Sequence, residues 1–191
     1  MQQKTRTDSK LPEILRGCRR GREASQIALY RHFYAYGLSI CLRYSASQES
    51  AKEILNDAFL KVFLKIEQYD NHFEFKPWLR KILINTAVDH HRKYYAKLKE
   101  ESAPLNDLEN STYNEALDEL EYQDLIQLMQ ELSPAYRLVF NLYVIEGLNH
   151  QEIATKLGVS VGTSKSNLAK ARQKIRILLN KTWGVFPISK R

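Results

Sequence analysis

The run from Asn149 to Lys170, NHQEIATKLGVSVGTSKSNLAK, decides how this chain is read. Asn149 is suited to cap a helix, and Glu152 three residues later completes a reciprocal pattern in which each side chain takes up the other's free amide. Ile153, Ala154 and Leu157 then fall on one face. Gly158 suits the left-handed backbone that ends a helix. Val159 belongs to a short turn, and Ser160 is placed to cap a second helix. The buried side of that helix is Leu168, Ala171, Ile175 and Leu178. A short helix, a tight glycine turn and a second helix make a helix-turn-helix, and the small Ala154 lets the two helices cross closely. The outer side of the second helix presents Gly162, Ser166, Ala169, Lys170 and Gln173, with Lys165 beside them. No acidic residue follows Glu152, whereas Lys156, Lys165, Lys170, Arg172, Lys174, Arg176 and Lys181 do. A one-signed helix with small outward residues fits the major groove and its flanking phosphates. A hairpin used only for packing, which some such motifs are, has no need of that field.

Upstream of this motif the helical period recurs and strand signals are scarce. The expectation is an all-α chain, with roughly four helices between residues 11 and 96 and three or four more from about 115 to 182. Hydrophobic residues make up 43% and glycine and proline number only 7 and 5, which excludes collagen-like, linker-like and disordered classes. The formal charge is +7, a value shared by many proteins with no anionic partner, but its distribution is informative. Nine of the 22 acidic residues and none of the 29 bases lie between residues 100 and 124, so this segment carries −9 and the remainder +16. Two basic blocks flank an acidic bridge containing Pro104, Asn106, Asn110 and Ser111, a pattern that favours a nucleic-acid partner. Cys18 and Cys41 lack zinc-site spacing. Residues 1 to 10 lack the apolar core of a signal peptide, and no run approaches the roughly 20 apolar residues of a membrane span. The expected setting is cytoplasmic, with reduced thiols, no metal and no cofactor.

Two segments of the first block carry more than packing. Between residues 49 and 66, Ala51, Ile54, Leu55, Ala58, Phe59, Val62 and Ile66 form one apolar stripe. The opposite face carries Glu53, Asn56, Asp57, Leu60 and Leu64. Leucines with a charged rim on an outward face point to a protein partner, unless neighbouring helices of the bundle cover them. Next, Gln68 to His72 read as a loop, Phe73 and Phe75 follow, and Pro77 suits the start of a helix. Leu79, Ile82, Leu83 and Thr86 form its buried side, while Trp78, Lys81, Asn85, Val88 and Arg92 gather on another. Rings stack on unpaired bases, cations meet phosphates and an amide reads a base edge, so this set fits single-stranded nucleic acid. Taken singly, Trp78 is equally a core residue, and Lys81 and Arg92 are equally solvated.

The run from Glu53 to Lys93, EILNDAFLKVFLKIEQYDNHFEFKPWLRKILINTAVDHHRK, resembles the second domain of bacterial RNA polymerase sigma factors, and Leu132 to Ile175 resembles their fourth. Having these two domains joined by a short linker is similar to the extracytoplasmic-function (ECF) subgroup. The resemblance implies a sigma domain two-like bundle over residues 11–98, an acidic linker over 99–120 and a domain four-like helix-turn-helix over 121–182. It implies core polymerase binding through Glu53, Asn56, Asp57, Leu60, Lys61 and Leu64. It implies opening of the −10 element and capture of a flipped base by the loop holding Tyr69, Asn71, Phe73 and Phe75, with Asn85 lining the pocket. Trp78, Arg80 and Lys81, with Arg92 on the same surface, would then meet the strand backbone. At the −35 element it implies Lys165, Ser166, Ala169 and Lys170 in the groove and Thr163 and Arg172 on phosphates. Implied partners are core polymerase, promoter DNA and an anti-sigma factor, often membrane-bound. The chain departs from the family pattern at Ser164, where an aliphatic residue is usual, and at Asn167, where a base is common.

Two other readings compete. An ordinary helix-turn-helix regulator would bind duplex DNA unaided and would need neither the outward leucines nor the Trp78–Asn85 surface. An enzyme would need a reactive constellation. Glu53 and Asp57 lie one turn apart and His90 adjoins His91, but no third ligand, phosphate loop or nucleophile motif accompanies them. The expectation is therefore a protein without catalytic activity of its own.

Overall fold

The computed structural model describes residues 10–100 and 120–183, and every regular element among them is helical. In chain order these are α1 (Leu11–Arg19), α2 (Glu23–Tyr44), α3 (Gln48–Leu64), α4 (Phe75–Glu100), α5 (Leu120–Gln130), α6 (Pro134–Phe140), α7 (His150–Leu157) and α8 (Val161–Trp183). A 3-10 turn, Ile66–Gln68, follows α3, and a π-helical turn, Asn141–Ile145, continues α6. The all-α expectation holds. The acidic linker expected over 99–120 lies almost wholly outside the described residues. No described helix is long and apolar enough to cross a membrane.

The chain divides into two compact units, one of Met1–Cys41 with Ala51–Ala87, the other of Leu42–Ser50 with Val88–Arg191. The core of the first is built on the stripe read from α3: Ala51, Ile54, Leu55, Ala58, Phe59, Val62 and, in the turn beyond, Ile66 are all buried. Leu29, Phe33 and Ile40 of α2 and Leu79 and Leu83 of α4 are buried with them. Fully burying each such side chain is worth about 1.5–3 kcal/mol, so the period of the stripe dictates which face of α3 turns inward. Gly37 permits the close approach of α2 to α3, since a Cβ there would lie 2.5 Å from Leu55 Cδ1. Gly17 does the same at the turn between α1 and α2, where a Cβ would overlap the Ser25 hydroxyl.

In the second unit Met129, Leu132 and Ala171 form a core joined by Tyr136, Phe140 and Ile175. A charged side chain lies in its middle. Arg137 is buried, and its Nε donates to the Met129 carbonyl at 2.8 Å while Nη2 donates to the Gln130 and Leu132 carbonyls at 2.7 and 2.8 Å. Met129 and Gln130 end α5, where the helical amides run out and the helix dipole is negative, and Leu132 lies in the turn beyond; the Met129 carbonyl also accepts from the Leu132 amide at 3.2 Å. The guanidinium thus supplies donors at the end of α5 and ties α5 to α6. One turn on, Asn141 Nδ2 donates to the carbonyls of Arg43 (2.7 Å) and Arg137 (2.9 Å), and the Tyr44 hydroxyl lies 3.1 Å from Glu146 Oε1. His91, near the end of α4, is largely buried in this unit. Burial and the nearby Arg137 cation push its imidazole down to about 4, against a hydrogen bond with the Pro134 backbone that favours the charged form.

Candidate nucleic-acid interface

The loop between α3 and α4 is shaped by its aromatic residues. The Tyr69 ring packs edge-on against Phe75 at 5.2 Å and tilted against Trp78 at 5.3 Å, and Phe75 reaches Phe33 of α2 at 5.0 Å. Tyr69 and Phe75 are buried. The Tyr69 hydroxyl donates to the Phe73 carbonyl at 2.6 Å, closing the loop on itself. Burial pushes the Tyr69 phenol up. Asp70 makes an Asx turn, its carboxylate accepting from the His72 amide at 2.9 Å and lying 2.7 Å from His72 Nδ1. These bonds hold the Asp70 carboxyl below its ordinary range. The result is a rigid frame that leaves Phe73 outside it, 71% exposed.

Two hollows flank Phe73. One, of about 610 Å³, is lined by Gln68, Tyr69, Asp70, Glu74, Pro77 and Trp78. The other, of about 930 Å³, lies between the loop and α1 and carries Arg16, Arg19 and Lys76 beside Phe33, Tyr69 and Phe75. Of the residues expected to face a single strand, Asn71, Phe73, Lys81 and Arg92 are exposed, and Trp78, Arg80 and Asn85 are half-buried. Tyr69 and Phe75 supply the frame from within. Val88, placed on the same surface by the helical wheel, is instead buried beside Ile84 and Ala87, because the wheel has no information on where a neighbouring element ends. Arg19, which no motif singles out, donates from Nη2 to the Tyr69 carbonyl at 2.6 Å and to Asn71 Oδ1 at 3.0 Å. No local pattern links residues 50 apart in sequence, so no sequence signal marked it.

On α3 the face opposite the core is open. Glu53, Asn56, Asp57, Leu60 and Leu64 are exposed, and Lys61 is half-buried. Leu60 and Leu64 are 61% and 84% exposed, so no helix among the described residues covers them. Asn56 is held in place by the Tyr30 hydroxyl, which donates to Oδ1 at 2.8 Å.

In the second unit the capped helices expected between Asn149 and Lys170 form. The Asn149 side chain accepts from the Glu152 amide at 2.9 Å, and Glu152 accepts from the Asn149 amide at 2.8 Å. Gly158 ends α7 at φ 68°. Ser160 Oγ accepts from the Thr163 amide at 2.9 Å and starts α8. Thr163, Lys165, Ser166, Ala169, Lys170 and Arg172 are all exposed, together with Gly162 and Gln173, while Leu168 and Ala171 are buried. Lys170 Nζ stands 6.0 Å from the Tyr136 ring centre, and the Arg172 guanidinium 5.6 Å from that of Tyr143. Tyr143 stacks on His150 at 4.7 Å, and His150 Nδ1 lies 3.0 Å from Ser164 Oγ. Ser164, polar and fully buried, is thereby satisfied. A helix whose exposed residues are polar, small or basic can enter a duplex groove; an exposed ring between two hollows can stack on an unpaired base.

Comparison with known proteins gives two family matches, the description "Sigma-70 region 2" over residues 29–96 and "Sigma-70, region 4" over residues 122–175. The ECF RNA polymerase sigma factor SigM of Bacillus subtilis is 31% identical over 136 residues, covering 69% of this chain and 80% of that protein. The ECF RNA polymerase sigma factor SigE of Mycolicibacterium smegmatis is 29% identical over 148 residues, covering 74% of this chain and 56% of that longer protein. Among solved structures, the sigma factor RpoE in complex with the anti-sigma factor NepR from Bartonella quintana matches with a TM-score of 0.48 and 21% identity, over 91% of this chain and 96% of that one.

Proposed function

Because the chain belongs to the ECF RNA polymerase sigma factors, and so serves transcription initiation as a non-catalytic factor, we propose that it binds core polymerase through α3 and directs it to promoters by reading a −35 duplex and opening a −10 element. The observation that carries this reading is the pairing, in one chain, of a framed loop that exposes Phe73 with a helix-turn-helix whose outer face is basic. A duplex-only regulator has use for the second and none for the first.

In the proposed mechanism α8 lies in the major groove with Lys165, Ser166, Ala169 and Lys170 toward base edges and Thr163 and Arg172 toward phosphates. Glu53, Asn56, Asp57, Leu60, Lys61 and Leu64 meet the polymerase. Unstacking a base costs a few kcal/mol, and stacking it on an aromatic ring recovers roughly 1–3 kcal/mol. The loop alone therefore does not open a duplex, and the polymerase must supply the remaining surface. Asn71 and Asn85 offer amide edges to the captured base, and Trp78, Arg80, Lys81 and Arg92 border the path of its strand. The buried Tyr69 and Phe75 hold the loop that does the capturing. The domain limits 11–98, 99–120 and 121–182 belong to the same proposal, as do an anti-sigma partner and a cytoplasmic site of action beside the polymerase.

The test is run-off transcription with purified bacterial core polymerase on a pool of promoter fragments, with and without this protein. Discrete new transcripts that vanish with Asp57→Arg or with Lys170→Glu support the reading and separate its two surfaces. Tight, specific duplex binding by the protein alone, with no transcript, favours the regulator and defeats it.

A further inference from the structure

We infer that Arg19 of α1 is a positioning residue for the strand-reading loop, holding Tyr69 and Asn71 so that the hollows beside Phe73 stay open to an unpaired base. The functional part of this inference rests on the sigma reading above; the structural part does not.

The loop spans only Tyr69 to Glu74 between the 3-10 turn and α4, and most of its bonds are internal to it. Internal bonds fix its shape but not its place. The rings of Tyr69 and Phe75 fasten its two ends to the core, and its middle, Asn71 to Glu74, is exposed. Arg19, from another element, reaches the loop through one Nη2 bonded both to the Tyr69 carbonyl at its start and to Asn71 Oδ1 in its middle. A guanidinium is suited to this, since the two N–H bonds of one Nη diverge within a rigid plane and hold two acceptors at a fixed angle. Its charge also stabilises the ionised Asp70 that makes the Asx turn. The base of the clamp is fixed as well. Arg19 sits in the last turn of α1, which closes on α2 through Gly17 packed against Ser25 and through Gly21 at φ 68°. Arg19 also forms part of the wall of the larger hollow, so its displacement changes both the position of the loop and the space beside it.

Two measurements test this. In the free full-length chain, amide exchange of Tyr69, His72 and Phe73 is compared for wild type, Arg19→Gln and Arg19→Lys, with the α3 core amides as an internal reference. Arg19→Gln is expected to speed exchange in the loop about tenfold and leave α3 unchanged, with Arg19→Lys in between. Unchanged loop exchange, or equal acceleration throughout α3, overturns the inference. In the assembled holoenzyme, open-complex formation is then measured on a promoter and on the same promoter with one −10 base replaced. Arg19→Gln should lower opening about tenfold and reduce discrimination between the two templates, with polymerase affinity unchanged. An equal loss on both templates means a structural role only and also overturns it. If the wild-type chain starts no transcription, the sigma reading has failed, and the exchange measurement still decides whether Arg19 positions the loop.

Discussion

His91 sets a pH limit on the second unit. Its imidazole is held down at about 4, chiefly by burial and then by the Arg137 cation, against an ordinary value of 6.5. Between these values the unfolded chain binds a proton that the folded chain refuses, so stability is fully present above pH 6.5 and falls as the pH is lowered toward 4. From the two values, the loss between pH 7.5 and pH 5 is about 2 kcal/mol, and the full shift corresponds to about 3 kcal/mol. That is a large share of the 5–15 kcal/mol typical of a domain. The perturbation is His91→Gln, which removes the titrating group and keeps a side chain able to donate to the Pro134 carbonyl. The assay is urea unfolding of both proteins at pH 7.5, 6.5, 5.5 and 5.0, and the quantity read is the difference between them, which cancels the titration of all other groups. The difference should shrink by about 2 kcal/mol from the highest pH to the lowest. A difference constant across the range refutes the reasoning, because His91 would then be protonated in the folded state as readily as in the unfolded one.

Three further outcomes follow from particular contacts. Arg137→Met keeps the bulk but removes the side-chain donor from three carbonyls at and just beyond the end of α5, of which Met129 keeps the Leu132 amide; a loss of about 3 kcal/mol is expected in a urea or thermal melt, and a loss below about 1 kcal/mol would mean that water or another side chain takes its place. Phe73→Ala, at an exposed position, should change stability by less than about 0.5 kcal/mol, yet weaken promoter opening by the roughly 1–3 kcal/mol of one stacked base, read as reduced permanganate reactivity of −10 thymines. Ser164→Ala removes the partner of His150 Nδ1 within the helix-turn-helix; a destabilisation of about 1 kcal/mol is expected, and a more stable variant would show that the pair is less favourable there than an apolar contact.

The parts of the fold legible in the sequence are those governed by local rules. The capping box at Asn149 and Glu152, the left-handed Gly158 and the Ser160 cap are contacts between residues three or four apart, and each appears in the structure as the residue types require. The α3 stripe is legible for a related reason, since six apolar residues at helical spacing leave one inward orientation. Exposure of Leu60 and Leu64 was only half legible, because the period fixes which way a side chain points but not whether a neighbour covers it. Arg19, Arg137 and Asn141 were not legible as linking residues. Arg19 acts across 50 residues and Asn141 across 98, and a cation or amide on a helix carries no mark of which carbonyl it will meet.

The loop shows how the same residue type divides between frame and function. Tyr69, Phe73 and Phe75 alternate within seven residues, and the sequence offers all three equally to an unpaired base. The structure separates them by what each ring can bury. Phe75 opens α4 and turns inward to Phe33, and Tyr69 closes over it while its hydroxyl, too polar to be buried without a partner, takes the Phe73 carbonyl. That bond fixes the backbone of Phe73 and leaves its ring no inward place. The exposed ring is therefore a consequence of the two buried ones. Under the proposed function, a substitution at Tyr69 or Phe75 is expected to act on nucleic acid through the position of Phe73, and a substitution at Phe73 directly.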